Sequence, residues 1–530
     1  MNSVLSELHL REKVGQLFFP AAFINDTEEN YIEIENLIKK YAIGGLTFFH
    51  SRASAATNYE GKKNVIYNDN SAVRLKNLIK RYQSISKIPL LISIDAEWGL
   101  AMRVEKTPQY PYAITLGALP DSENDLVFEV GKNCGTDLKQ LGINYNLAPV
   151  VDVNDNPKNP VIGYRSFGDN TNNVTKKALA FCDGLQFSGV LSCLKHFPGH
   201  GNTEVDSHLG LPVINKSLIE LHEQELVPFK DAIAQNKVDS IMVGHLAVPA
   251  LTDGKIISAT LSSQIIKNIL RAELGYQGLI ISDALNMHSV SKLYPEKGVL
   301  EWKAFEAGND VLCFSENVAE GIEKILKNAP STQIESSFNR VIELKNKCGL
   351  FSGNQSMTDD KEVDFDLDTA SKLNFEIAKK VVVITKNENG LLPINKASKN
   401  ALLSIYNTTN SVFCTHLKAT IKADLIEIKD QNDVDFNKID DCFAHYDKII
   451  VALFVPSVKP INNFDLDTLV LKLLEKLLKN PKVILCLFGN PIALQSLPNY
   501  RECKTIIQCY QHFDSFQKVA ATAVCGDEYF

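Results

Sequence analysis

Eight short runs of apolar, mostly β-branched residues, separated by stretches of helical periodicity, constrain this chain more than any other feature. They fall at residues 17–23, 44–50, 90–97, 143–151, 191–197, 240–246, 279–285 and 310–314. Such runs read as strands covered on both faces. Between them, stretches such as 31–41, 72–82 and 218–234 carry their apolar residues on one helical face. Buried strands alternating with helices call for parallel pairing, and eight of them over this length predict an N-terminal (β/α)8 TIM-type barrel rather than an open sheet.

At 530 residues the chain is too long for one ordinary domain. A polar stretch at 352–369, with Asp359, Asp360, Glu362 and Asp364 close together, has too little apolar content to pack and reads as a linker. Alternation then resumes, with strand-like runs at 381–385, 401–406, 425–428, 449–455, 483–488 and 506–510 and a helix at 469–478. The expected organisation is a barrel domain over 1–351 and a smaller α/β sandwich domain with a mostly parallel sheet over 370–530.

Composition narrows the function classes. Hydrophobic residues make up 45% and charged residues 22%, the balance of a globular chain, and the net charge of −8 comes without a basic cluster. Neither nucleic acid nor an anionic membrane is an expected partner. No apolar stretch approaches the roughly 20 residues that span a bilayer. Residues 1–10 lack a basic segment followed by an apolar core, so no signal peptide is expected. The eleven cysteines form no C-x-x-C pair, and Cys193, Cys313 and Cys486 sit inside apolar runs, where a thiol acts as a small core residue. That pattern points to a reducing compartment, hence cytoplasm, with periplasm or secretion the alternative for a chain whose leader has been removed.

The densest group of reactive side chains is Lys195-His196-Phe197-Pro198-Gly199-His200-Gly201, followed by Asp206-Ser207-His208. It begins at the C-terminal end of an expected strand, where barrel enzymes carry their catalytic groups, and its Pro and Gly residues turn the chain into a loop over the barrel mouth. Asp206 is two residues from His208, close enough for its carboxylate to orient the imidazole and raise its proton affinity, as a general acid near neutral pH requires. A solvated turn whose histidines cap backbone groups is the bland alternative. A metal set of His196, His200 and His208 is another, without H-x-x-x-H spacing on a helix or a cysteine pair to support it.

A second acid, Asp283, ends the apolar run Gly278-Leu-Ile-Ile-Ser282, a position suited to catalysis or to capping a following helix. Asp95 occupies the same position after another strand, and Arg103 and Arg165 lie near strand ends. Asp, Arg, Lys and His converging on one mouth suit a ligand rich in hydroxyls.

These motifs resemble glycoside hydrolase family 3, in its β-N-acetylglucosaminidase branch. The resemblance rests on K-H-F-P-G-H-G with D-S-H, on Ser282-Asp283, on Ile94-Asp95-Ala96-Glu97 and on the segment 162–168, Ile-Gly-Tyr-Arg-Ser-Phe-Gly. It extends to residues 386–393 and 488–491 of the second domain, so nearly the whole chain is covered. It implies Asp283 as nucleophile, His208 with Asp206 as acid/base, and Asp95, Arg103, Arg165, Lys195 and His196 around the hydroxyls of a terminal sugar. Two positions depart from the family pattern. Glu97 is followed by Trp-Gly-Leu-Ala-Met-Arg103 rather than Gly-Gly-Arg, and Gly526–Phe530 stands where a Gly-Arg-Leu-Pro segment is the rule.

The implied activity is retaining exo-hydrolysis of a terminal β-linked N-acetylglucosamine, with no metal or organic cofactor. Peptidoglycan fragments or chitooligosaccharides are the implied substrates. β-Glucosidase, β-xylosidase and phosphorylase activities, the last because a histidine acid removes one negative charge from the site, are the alternatives within the family. A non-catalytic sugar-binding protein is the alternative outside it.

Overall fold

A computed structural model describes residues 5, 7–55, 65–203, 210–352, 363–407 and 411–527. The backbone divides into two compact units, one of residues 1–113 and 121–367, the other of 114–120 and 368–530.

In the first unit the apolar runs carry nine strands, β1 (Phe18–Phe19), β2 (Ala21–Asn25), β3 (Gly45–Ser51), β4 (Leu91–Ile94), β5 (Tyr145–Asn146), β6 (Cys193–Phe197), β7 (Ser240–Val243), β8 (Leu279–Ser282) and β9 (Leu312–Cys313). They form three sheets, β1 with β9, β2-β3-β4-β5, and β6-β7-β8, and every strand pairing among them is parallel. Isolated parallel bridges join Tyr145 to Leu191 and Ile281 to Val311, at the borders of β5 with β6 and of β8 with β9. Because the strands are parallel, the side chains that follow β4, β6 and β8 leave the sheets at the same end.

Three segments differ from the expectation. The run 17–23 is two strands because Pro20 has no N–H for the ladder, although its carbonyl still accepts from Thr47 N at 3.1 Å. The run 143–151 keeps only β5. Beyond it Pro149 likewise donates nothing, while Ala148 and Pro149 carbonyls accept from Cys193 N (2.8 Å) and Lys195 N (3.2 Å). The expected helix 218–234 is two, Leu218–Glu223 and Val227–Ala234. A capping box of Ser217 and Glu220 starts the first, and Pro228 in the opening turn of the second forbids a continuous helix, because its ring would meet the carbonyl four residues back.

The second unit is a six-stranded sheet in the order β10 (Val383–Asn387), β15 (Thr505–Gln508), β14 (Val483–Phe488), β13 (Lys448–Phe454), β11 (Asn400–Ile405) and β12 (Asp424–Ile428). Only β10 runs antiparallel to its neighbour. Alternate residues build two cores. Leu403, Val451 and Leu485 pack with Val470 and Leu474 of helix Thr468–Leu477 on one face. Leu402, Ile450 and Ile484 pack with Leu417 of helix Val412–Ile421 and Val524 of helix Asp514–Cys525 on the other. Helices on both faces of a largely parallel sheet make this an α/β sandwich. Among the described residues, no helix of either unit is long and apolar enough to cross a membrane.

Candidate active site

The charged residues singled out in the sequence meet where the ends of β4 and β6 approach. Lys195, in β6, reaches with Nζ to 2.8 Å from Asp95 Oδ1 and 2.8 Å from Glu97 Oε1. Arg103 Nη2 donates to Asp95 Oδ2 at 2.9 Å. Arg165 grips Glu97 in the bidentate manner, Nε to Oε2 at 2.9 Å and Nη2 to Oε1 at 2.8 Å. Burial alone would push both carboxyls up, but the adjoining cations win. Lys195 and Arg103 hold Asp95, and Arg165 and Lys195 hold Glu97, well below the usual carboxylate range. The Lys195 ammonium, which burial would push down, is instead held above its ordinary value by the same two carboxylates. Three cations thus face two carboxylates, and the site keeps Asp95, Glu97 and Lys195 ionised at neutral pH.

The loop after β6 is fixed by an acid that the sequence reading missed. Asp152 Oδ2 lies 2.8 Å from His196 Nδ1, and its Oδ1 accepts from His196 N (3.1 Å) and His200 N (2.8 Å). Its signal was available, since Val150-Val151-Asp152 ends an apolar run with an acid just as Ile94-Asp95 does. Asn159, also missed, donates from Nδ2 to the carbonyls of His200 (2.9 Å) and Gly201 (3.0 Å). Its Oδ1 accepts from Val161 N and Ile162 N, so it ties the Arg165 turn to the His200 loop. Both loop glycines are needed. Gly199 has φ +132°, and a Cβ on Gly201 would fall 1.7 Å from the Val153 carbonyl oxygen. His200 is buried, its Nδ1 2.8 Å from Thr203 Oγ1, and burial followed by the neighbouring His196 pushes its pKa down to about 4. It is therefore a neutral imidazole at physiological pH.

Asp283 directly follows β8. Its N–H donates to Val243 O at 3.0 Å and its Oδ1 accepts from Ala284 N at 2.8 Å, with the side chain partly exposed. It caps no helix, for the next one, His288–Ser291, has Met287 at the N-cap position. His245, a further residue passed over in the sequence, braces this turn. Its Nε2 donates to Ala284 O (2.9 Å) and its Nδ1 lies 2.8 Å from Thr260 Oγ1. A cavity of about 780 Å³ opens beside the same turn, lined among others by Phe23, Asn286, His288 and Phe314. Asp206 and His208 lie outside the described residues, so the structure brings together Asp95, Arg103, Arg165 and Lys195, sets His196 in the same β6 segment and leaves the expected acid/base pair unassigned. The three-histidine metal set shares that limit through His208, and within it His196 Nδ1 and His200 Nδ1 are engaged by Asp152 and Thr203.

A parallel α/β scaffold with ionised acids and bases at its strand ends has the make of an enzyme acting on a hydroxyl-rich ligand. The model of the glycosyl hydrolase family 3 N-terminal domain matches residues 9–344, and the chain belongs to that family. It is 34% identical over 389 residues to a β-hexosaminidase A of Pseudoalteromonas piscicida, a match covering 68% of this chain and 62% of that one. It therefore spans less than two thirds of that relative. A β-N-acetylglucosaminidase/β-glucosidase of Cellulomonas fimi is 26% identical over 410 residues, covering 75% of this chain and 68% of that one. Among solved structures, a family 3 β-N-acetylglucosaminidase from Paenibacillus sp. str. FPU-7 superposes with a TM-score of 0.77 at 27% identity, covering 98% of this chain and 97% of that chain.

Proposed function

We propose that the protein is a retaining exo-β-N-acetylglucosaminidase that releases a terminal N-acetylglucosamine from chitooligosaccharides or peptidoglycan fragments. The observation that carries the reading is the ionised cluster of Asp95, Glu97, Lys195, Arg103 and Arg165 at the strand ends, with Asp283 at the end of a parallel strand and committed to no helix cap. Charged donors and acceptors grip sugar hydroxyls, and a carboxylate at a strand end attacks the anomeric carbon. Similarity to the Pseudoalteromonas and Paenibacillus enzymes supports the N-acetylhexosaminide as substrate.

In this reading Asp283 displaces the leaving group and forms a glycosyl ester, while His208, oriented by Asp206, gives its proton to the departing oxygen. The imidazole then takes a proton from water, whose oxygen attacks the anomeric carbon and frees Asp283. Asp95, Arg103, Arg165, Lys195 and His196 hold the terminal ring. We read the nine strands of the first unit as one eight-stranded barrel, in which β1 and β2 are halves of a single strand. The pairing of β1 with β9 and the two isolated bridges support this. The boundary between catalytic and second domain is read at 352–369.

The test is a panel of nitrophenyl glycosides assayed with and without phosphate. The N-acetylglucosaminide should be cleaved on the order of 100-fold faster than the glucoside or xyloside, with no phosphate dependence. Preference for the glucoside, which the name of the Cellulomonas relative makes the nearest alternative, would overturn the substrate. A sugar phosphate as product would overturn hydrolysis.

A further inference from the structure

In the second unit three side chains able to hold a metal ion converge, although they stand far apart in the sequence. His416 lies on helix Val412–Ile421, Cys525 is the last residue of helix Asp514–Cys525, and Asp527 follows it across one glycine. One ligand atom from each lies within 4.8 Å of the other two. The backbone sets this arrangement. Ser411 Oγ and Phe413 N, at the start of the first helix, donate to Gln517 Oε1 of the second at 2.7 and 3.2 Å. Leu417 and Val524, the chain neighbours of His416 and Cys525, pack in one core. Gly526 then ends the second helix in the left-handed region, at φ +71°, its N–H donating to Thr522 O at 2.8 Å, and the turn brings Asp527 back beside Cys525.

Packing alone gives little reason for this group. Cys193, Cys313 and Cys486 lie within apolar runs, whereas the buried Cys525 thiol meets an imidazole and a carboxylate. A thiol is a weak hydrogen-bond donor and offers a carboxylate little, while all three groups have lone pairs for a cation. One nitrogen, one sulfur and one oxygen suit a borderline-soft ion such as Zn²⁺, whose bonds of about 2.0–2.3 Å set its ligand atoms roughly 3.3–3.7 Å apart. Closing the cluster by about 1 Å reaches that geometry. Cys525 is 5% exposed while His416 and Asp527 keep intermediate exposure, which leaves one side of the ion for water as fourth ligand. Asp527 Oδ1 accepts from Lys396 Nζ at 2.9 Å, but the lysine side chain is 56% exposed, and such a pair is weak enough to yield to a divalent charge.

We propose that His416, Cys525 and Asp527 form a site for one zinc-like divalent cation, which ties helix Val412–Ile421 to the C-terminal end of helix Asp514–Cys525. Binding releases the thiol proton to solvent and displaces Lys396 from Asp527. The ion's work is structural, for no step of the hydrolysis above uses it.

Its test uses the full chain, stripped of metal by a chelator and titrated with Co²⁺, whose spectrum reports its ligands. One equivalent should give a near-ultraviolet thiolate-to-cobalt band with the visible bands of a tetrahedral ion, and Zn²⁺ should bleach both. Cys525→Ser should abolish the near-ultraviolet band, and His416→Ala and Asp527→Asn should weaken binding on the order of 100-fold. At about a hundredfold excess over its Kd, Zn²⁺ should raise the melting temperature of the wild type by about 5–10 °C and that of Cys525→Ser by less than about 1 °C. Melting curves of the metal-free variants separate a lost ligand from misfolding, and should the buried Cys525→Ser fail to fold, the half-buried His416→Ala carries the same comparison. No cobalt band in the wild type overturns the site. So does binding that His416→Ala and Asp527→Asn leave unchanged, or a thiolate band that survives Cys525→Ser, since the ion would then sit on another thiol.

Discussion

His196 Nδ1 lies 2.8 Å from Asp152 Oδ2, inside a site where the same carboxylate also receives the backbone N–H groups of His196 and His200. Asp152 is buried, and although burial would raise its pKa, His196 holds it below the ordinary value. One carboxylate therefore sets the ring orientation of His196 and the path of the loop that follows it.

Asp152→Asn keeps an oxygen for the two backbone donors but offers His196 an amide in place of a charge. The imidazole should change tautomer or turn, and kcat/KM should fall by about 10–100-fold, the usual loss when a partner behind a site residue is altered. Steady-state kinetics with a melting curve would check this. Unchanged kinetics would make Asp152 a loop anchor only.

Lys195, Glu97 and Arg165 should behave as one unit. Glu97→Leu leaves Lys195 with Asp95 alone and Arg165 without its bidentate partner, which should cost about 3–5 kcal/mol. Combining it with Arg165→Leu removes the stranded guanidinium as well and should recover part of that loss. Denaturant unfolding of both single variants and the double variant would measure the coupling, and strict additivity would contradict it.

The strands were legible because most are buried and parallel and so form continuous apolar runs, and all fourteen runs read in the sequence carry strands, the antiparallel and largely exposed β10 among them. Where the reading overshot, a proline was responsible. Pro20 and Pro149 interrupt ladders whose side-chain pattern continues through them, and Pro228 restarts a helix whose apolar face does not. In the site, Lys195 and Asp95 were legible because charged residues at the end of an apolar run have no packing reason to be there. Asp152 and His245 follow the same rule, but Asp152 sits in the segment where the ladder fails and His245 lies outside any dense motif. Asn159 was illegible, since its work is to join two backbones far apart in sequence.

Asp137 makes stability depend on pH. Burial, with the charge of Asp366 adding to it, pushes its carboxyl up to about 7, although the Tyr110 hydroxyl donates to it. The folded state then holds this proton more tightly than the unfolded chain, whose Asp titrates near about 3.9. The group's contribution is full below about pH 4 and is lost as pH rises through about 7. Asp137→Asn, which mimics the protonated form and can still accept from Tyr110, should gain on the wild type by about 1–3 kcal/mol between pH 4 and 8. Parallel melting temperatures across that range would contradict it.

His208 should matter in proportion to how poor the leaving group is. His208→Ala should lose several orders of magnitude on a disaccharide but far less on a dinitrophenyl glycoside in the glycosylation step, because an acidic phenol needs little protonation. Asp206→Asn should be a milder copy. Equal losses on both substrates would assign the acid to another residue.

The central claim is that Asp283 forms a bond to the sugar. Incubation with a 5-fluoro-N-acetylglucosaminyl fluoride, which forms the glycosyl-enzyme faster than water releases it, followed by proteolysis and mass spectrometry, tests it directly. The account predicts one added sugar per chain, on the peptide containing Ser282-Asp283, and none in Asp283→Ala. A label on another carboxylate, or turnover with no covalent adduct, would contradict it.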